Sequence, residues 1–336
     1  MSKLFLGIFI FLAGELFAQD LNQNLSKVAT QYAESYLQPF INAYGAGINS
    51  GFFHPGMIAS DGANKLHISF SIESIGSFIP ANEKSFSAFY HTVAVVDTMG
   101  QSQTVNATAT VNNAPTIFGS KNPATAVIDI NDTMTIAGLF SMPIHQTRYE
   151  QTFGSLASTD VAPLLVPQLN IGTFFNTEIF MRWLPPINIG NYGKTSYLGL
   201  GVRHNFGKFI KNFPVNIYGE ASYQNFSIND STGKEFLSVS AYAFDIQLSK
   251  SIGAFEVYGA VQYEGSSLNV NYSYLPSSNS NNSTAYGINI SFNLNGANSY
   301  RIIAGSSYSI GNFYLNADLN FSSINVFSLG IGYNIL

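Results

Sequence analysis

Residues 312–322 read Asn312-Phe313-Tyr314-Leu315-Asn316-Ala317-Asp318-Leu319-Asn320-Phe321-Ser322, and their alternation decides the fold. Successive side chains of an extended strand point to opposite faces. Phe313, Leu315, Ala317, Leu319 and Phe321 therefore form one apolar face, and Asn312, Tyr314, Asn316, Asp318, Asn320 and Ser322 an almost wholly polar one. Residues 285–294 repeat the device: Tyr286, Ile288, Ile290, Phe292 and Leu294 stand against Ala285, Gly287, Asn289, Ser291 and Asn293. Residues 169–183 extend it, with Leu169, Ile171, Phe175, Ile179, Met181 and Trp183 opposite Asn170, Gly172, Asn176, Glu178 and Arg182. Runs this long exceed the usual strand of about 5–6 residues and suit the tilted strand of about 9–11 that crosses a membrane.

Similar segments occupy 65–79, 86–96, 196–206, 214–228, 236–249, 253–264, 299–310 and 325–335, separated by turn signals such as Asn295-Gly296, Gly311-Asn312 and the Ser/Asn run 277–283. Between 97 and 165 the alternation is interrupted around Pro115, Pro123, Pro143 and Pro163, and two to four further strands are expected there. The sum is an all-β, antiparallel transmembrane barrel of about 12–14 strands. Parity leaves one stretch open. If 253–264 and 312–322 both run outward, residues 265–298 hold either two more crossings or a hairpin standing beyond the membrane.

Composition supports a chain with little water-facing surface. Charged residues make up 10% and aromatics 14%, whereas soluble domains carry about 25% charge. A two-sheet sandwich would alternate too, but its outer faces would show many Lys and Glu, and these show Ser, Asn, Gly and Tyr. The net charge of −5 and the lack of a basic patch point away from nucleic acid. Cysteine is absent, which removes disulfides and thiolate metal sites.

The N-terminus reads as an export signal, residues 1–18: Lys3, an apolar run from Leu4 to Leu12, then cleavage expected after Ala18. Residues 19–60 follow as a separate segment, and 61–336 as the barrel. From Leu21 to Tyr44 the residues Leu25, Val28, Tyr32, Tyr36, Phe40 and Tyr44 recur every three or four positions, an amphipathic helix that Pro39 is expected to kink or end. Two placements are open: a periplasmic helix lying against the barrel, or a plug in the lumen in which Tyr32, Tyr36, Phe40 and Tyr44 do the packing.

The order of these parts resembles outer-membrane barrels of the FadL type and the barrel families grouped around them. The likeness rests on the export signal, the amphipathic segment, the passage Gly45, Gly47, Asn49, Ser50, Gly51, an aromatic and a Pro, then strands to the last residue. Phe53-His54-Pro55-Gly56 stands at the place of that family's Asn-Pro-Ala motif. The resemblance implies uptake of a small hydrophobic or amphipathic molecule, with the N-terminal segment blocking the lumen.

No chemistry-bearing motif competes. Gly-x-Ser-x-Gly and His-Glu-x-x-His do not occur, and His54, His67, His91, His145 and His204 lack metal spacing. No enzyme activity, cofactor or metal is expected. The charges say more. If apolar faces meet lipid, then Glu73, Glu178, Arg182, Arg203, Glu220, Asp245, Glu256, Glu264, Arg301 and Asp318 all turn inward, since Arg facing lipid at mid-depth costs about 2–4 kcal/mol. They are expected to pair across the lumen. Trp183, Tyr192, Tyr197, Phe206, Phe209 and Phe213 fall near strand ends, where aromatic girdles form. Three functions remain: a solute transporter gated by the N-terminal segment, a non-transporting barrel with a packed lumen and binding loops, and a lipid hydrolase. The expected surroundings are outer-membrane lipid and, for the first function, a hydrophobic small molecule.

Overall fold

The computed structural model describes residues 22–54, 66–98, 101–136, 140–172, 175–188, 194–210, 214–229, 233–274 and 288–336. The export signal of residues 1–18 lies outside them. The chain divides into two compact units, one drawing on residues up to Pro39, Pro80–Thr159 and Val270–Asn293, the other on Phe40–Ile79, Asp160–Asn269 and Leu294–Leu336.

The second unit is a closed ring. Its strands are β1 (His67–Phe78), β6 (Val161–Gly172), β7 (Thr177–Asn188), β8 (Lys194–Asn205), β9 (Asn216–Asn229), β10 (Glu235–Ile252), β11 (Phe255–Tyr274), β13 (Tyr300–Ile310), β14 (Phe313–Phe321) and β15 (Val326–Asn334). The hydrogen-bonded order is β10-β9-β8-β7-β6-β1-β15-β14-β13-β11, and β10 pairs with β11 to close it. Antiparallel registers such as Glu178↔Arg203, Arg203↔Glu220 and Glu220↔Asp245 run around the wall. Closure leaves no unpaired edge, which a sheet in lipid requires.

Residues sort across this wall as the alternation demands. Phe70, Ile72, Ile179, Met181, Leu198, Leu200, Phe244, Ile246, Leu315, Leu319, Leu329 and Ile331 are exposed on the outside. Ser69, Ser71, Gln168, Asn170, Gln224, Gln247, Asn316 and Ser328 are buried on the inside. A soluble protein has the reverse distribution. Trp183, Phe206 and Phe209 lie exposed as a girdle requires, but Tyr197 turns inward and donates to Gln224. Tyr192 and Phe213 lie outside the described residues.

The strand count is ten among the described residues, not 12–14. The run 169–183, expected as one strand, is the end of β6 and the start of β7 with Phe175 and Asn176 in a turn between them, Asn176 at φ +54. Two other stretches lie outside the ring and lower the count. Residues 80–159 form a sheet of their own, in the order β2 (Ser85–Thr98), β3 (Gln101–Pro115), β4 (Thr125–Ile136), β5 (Phe140–Gln151). Ala94, Val96, Val105, Ala107 and Ile130 pack as its core. Its strands alternate like the ring's because any half-buried sheet has the same period. The second stretch is the hairpin of β11 and β12 (Ile288–Asn295), the second of the two parities that the sequence left open. Along β11 the outer face is Phe255, Val257, Val261 and Tyr263 and the inner face Glu256, Gln262 and Glu264; beyond Gly265-Ser266 the order inverts, with Leu268 and Val270 buried and Ser267 and Asn269 exposed. On β10 the buried face passes from Asp245 and Gln247 to Ala243, Ala241 and Val239. On β12 the apolar Ile290 and Phe292 are the buried ones and Ser291 and Asn293 face out, so the expectation of a lipid-facing apolar side fails there.

Helix α1 (Asn22–Ile48) runs through Pro39 without ending. Proline removes one intrahelical donor and costs about 3 kcal/mol, and burial of Leu37, Phe40 and Ile41 on either side of it offsets that loss. None of the described helices is long and apolar enough to cross a membrane.

Candidate functional site in the lumen

The ring has two ends. At one lie the turns at Gly253-Ala254 and Gly311-Asn312, the connection 206–215, and the start of β1 beside the end of β15, where Ile335 donates to the Ile68 carbonyl. At the other lie the turn 322–325 and the two longest connections, which carry residues 79–160 and the β11–β12 hairpin.

Residues 40–54 occupy the space inside. All but the half-buried Tyr44 are buried, and the segment runs from the long-connection end to the short-turn end. A helix leaves its last four carbonyls without intrahelical partners and concentrates negative partial charge there. Here the Asn49 and Ser50 amides serve the Gly45 and Gly47 carbonyls, and inward arginines and glutamines donate to those of Ala46, Ile48 and the residues that follow. Arg301, on the second residue of β13, donates to the carbonyls of Ala46 (2.8 Å) and Asn49 (3.2 Å), to the Ser50 hydroxyl and to Asn320 (3.1 Å). Gln262 also donates to the Asn49 carbonyl, at 2.9 Å. Deeper, Arg182 donates to the carbonyls of Ile48 (3.1 Å), Ser50 (2.9 Å) and Gly51 and to Gln168 (2.8 Å). Gln224 adds a second bond to the Ile48 carbonyl, at 2.8 Å. Near the short-turn end Arg203 donates to the His54 carbonyl at 3.2 Å, and Asn316 to that of Phe53 at 3.0 Å.

Aromatic rings fill what remains. Phe52 lies 5.5 Å from Phe180 with the Arg182 guanidinium 4.1 Å above its ring, and Phe53 stacks on Tyr258. Beside them a cavity of about 10 Å³ is lined by Asp245, Gln247, Tyr258, Gln262, Asp318 and Asn320, among others. That is room for about one water.

Each of the ten charged residues expected inside is there, none more than 6% exposed. Glu178 meets Arg203 at 3.3 Å and also His54; Glu264 meets Arg301 at 2.8 Å. Arg182 takes carbonyl and amide oxygens instead. Among the acids, Glu220 faces Asp245 in register and accepts from Gln247 at 3.0 Å, Glu73 accepts from Asn316 at 3.2 Å, Glu256 from Ser249 at 2.6 Å, and Asp318 from Tyr258 at 2.9 Å. Pairing across the lumen is thus partial, because most arginine donors go to the segment.

The aromatic set expected to plug the lumen divides. Phe40 and Tyr44 belong to the ring's unit, their rings 4.6 Å apart. Tyr32 and Tyr36 belong to the other unit. Tyr32 packs edge-on to Phe86 at 5.3 Å and Phe153 at 5.8 Å, and the Tyr36 hydroxyl donates to the Gly154 carbonyl at 3.0 Å. Burial drives the Tyr36 phenol well above its ordinary range, with Tyr32 adding to the shift, so it stays a donor at any physiological pH. The residues that fill the ring are instead Ala46 to His54. Their signal in the sequence is the glycine passage itself. Gly51 sits at φ +67, which L side chains rarely adopt, and a Cβ on Gly45 would overlap the Ser266 hydroxyl.

A closed antiparallel ring with an apolar outside, a charged inside and its own chain through the middle defines a β-barrel membrane protein of the outer-membrane class. The chain belongs to the Family of unknown function (DUF6588), whose profile matches residues 1–335. No functionally curated protein matches the sequence. Among solved structures, the chain is similar to a loop-deletion mutant of OmpT, an outer membrane protein of Vibrio cholerae, at 9% identity and TM-score 0.25, over 81% of this chain and 99% of that one. It is also similar to a mutant of the TodX monoaromatic hydrocarbon channel, at 9% identity and TM-score 0.28, over 84% and 92%. A third is outer membrane protein Omp33 of Acinetobacter baumannii, at 9% identity and TM-score 0.22, over 80% and 98%. At such values the likeness carries no argument of its own, and the reading rests on the ring.

Proposed function

We propose that this protein is an outer-membrane barrel sealed by its own residues 40–54, which anchors a β-sheet and a hairpin as a binding module at the cell surface. The carrying observation is that three buried arginines donate to the backbone carbonyls of Ala46, Ile48, Asn49, Ser50, Gly51 and His54 in the segment. A buried guanidinium stripped of its partners costs several kcal/mol, so the segment is part of the fold and not a loosely held stopper. Outer-membrane barrels keep short turns in the periplasm and long connections outside, which supports placing residues 80–159 and the β11–β12 hairpin on the exterior. Lipid is the partner of the apolar wall, and catalysis has no part in this reading.

The second reading is gated passage of a small hydrophobic or amphipathic solute, as kinship with FadL-type barrels would imply. Its support is that the occupant is a chain segment held without covalent bonds. Against it, the wall behind the segment carries three arginines and the acids Glu73, Glu178, Glu220, Asp245, Glu256, Glu264 and Asp318, a poor path for an apolar molecule. Planar-bilayer recordings decide between them. The full chain is expected to give negligible conductance and a variant lacking 40–54 an open, cation-favouring pore. Sustained opening of the full chain, or saturable uptake of an apolar dye that depends on it, would leave the sealed reading untenable.

A further inference from the structure

We propose that the ring holds its N-terminal segment threaded from outside to inside, so that the start of α1 is displayed on the cell surface with the inserted sheet. The inference rests on the sidedness assigned above and adds the path of the chain.

Two independent observations carry it. The first lies within the ring. Ala46 and Asn49 are held by Arg301 at the long-connection end, Ile48 to Gly51 by Arg182 midway, and His54 by Arg203 at the short-turn end. Residue numbers therefore increase from the exterior end toward the periplasmic end. His54 then stands near the end from which β1 departs. Everything before residue 40 leaves by the opposite mouth.

The second lies within the other unit. Residues of α1 before Phe40 pack on residues 80–159: the Ile117 amide donates to the Tyr36 carbonyl at 3.2 Å, Tyr36 donates to Gly154, and Tyr32 meets Phe86 and Phe153. Those residues are the connection between β1 and β6, which departs at the same long-connection end. An amphipathic helix cannot bury its stripe alone, and here the inserted sheet is what covers it. Export of the sheet thus carries the helix with it, and the ring closes around the stretch left between.

Because the chain has no cysteine, single-cysteine labelling tests the path in intact cells with a membrane-impermeant maleimide. Gln31→Cys reports on α1, Ser323→Cys on the long-connection end and Ser251→Cys on the short-turn end; all three native residues are exposed. Glu34→Cys, one turn along, repeats the first readout. Each variant is used only as the folded, heat-modifiable band. The expected result is that Gln31→Cys reacts in intact cells as completely as Ser323→Cys, while Ser251→Cys reacts only after permeabilisation. Labelling of Gln31→Cys and Glu34→Cys that appears only on permeabilisation, with Ser323→Cys still reactive outside, overturns the threading and leaves the sidedness standing. Failure of both α1 sites to react under either condition also overturns it. Reaction of Ser251→Cys outside and Ser323→Cys inside would instead sink the sidedness, and the proposal with it.

Discussion

Arg203 and Glu178 show how the interior is balanced. Both are fully buried, 3.3 Å apart, and the guanidinium also reaches the His54 carbonyl. Removing one partner of such a pair leaves a charge in a medium that cannot solvate it, at about 3–5 kcal/mol. Arg203→Met is therefore expected to lower the urea midpoint for unfolding from lipid vesicles by that amount, and adding Glu178→Leu to recover most of it. If the single variant unfolds like the parent, the pair is solvated and the lumen is not closed there. Gly51 makes a separate demand. At φ +67 a Cβ is strained by about 1–2 kcal/mol, so Gly51→Ala is expected to unfold at a lower urea concentration than the parent in the same assay. The ten inward charges could be read from sequence because lipid tolerates no other placement. The interior glutamines gave no such signal, since an uncharged polar residue at an alternate position suits a lumen, a turn or a solvent face equally well.

At the scale of elements, β10 and β11 carry more information than their alternation suggests. Each strand exchanges its polar and apolar faces part-way along, near Ala241–Ala243 and near Gly265-Ser266. The Asn49 side-chain Nδ2 donates to the carbonyls of Tyr242 (3.1 Å) and Gly265 (3.3 Å), so both inversions lie at one level of the ring. The simplest physical cause is that lipid ends there and water begins. Ile246→Arg, below that level, is expected to cost about 2–4 kcal/mol in vesicles, while Ser267→Arg, exposed beyond it, should fall within about 0.5 kcal/mol of the parent. Equal penalties at the two sites would mean that the inversion does not track the bilayer. The same two strands explain how far sequence reading reached. Periodicity located β1, β8–β11 and β13–β15, because a lipid-facing strand and its turns leave a sharp pattern, but it ran β6 and β7 together over 169–183, since Phe175 and Asn176 in the turn between them keep the alternation. It could not separate the inserted sheet β2–β5 from the ring, because the period of two is common to every half-buried strand, and only hydrogen-bond partners distinguish them.

For the whole molecule, ring closure predicts that the unboiled protein migrates faster on a denaturing gel than the boiled one, since closed barrels yield slowly to detergent. Cutting the inserted sheet with a protease on intact cells is expected to leave that compact band, because no strand of the ring comes from residues 80–159. Loss of the band on cleavage would make the two units one cooperative body. The route of α1 was beyond sequence reading for a related reason. Its stripe of Leu25, Val28, Tyr32, Tyr36, Phe40 and Tyr44 is continuous, yet the helix spends its first part on one unit and its last part in the other, and nothing in a helical period marks where a partner changes.

The arginines of the wall grip main-chain oxygens, and an oxygen of the main chain is the same whichever amino acid carries it. At Ala46 and Ile48 the wall thus fixes the trace of the backbone, whereas Asn49 and Ser50 are held through their side chains as well. Relatives of this chain should conserve the three guanidinium groups, the glycines, Asn49 and Ser50 along that path, with freer choice at the two apolar positions between.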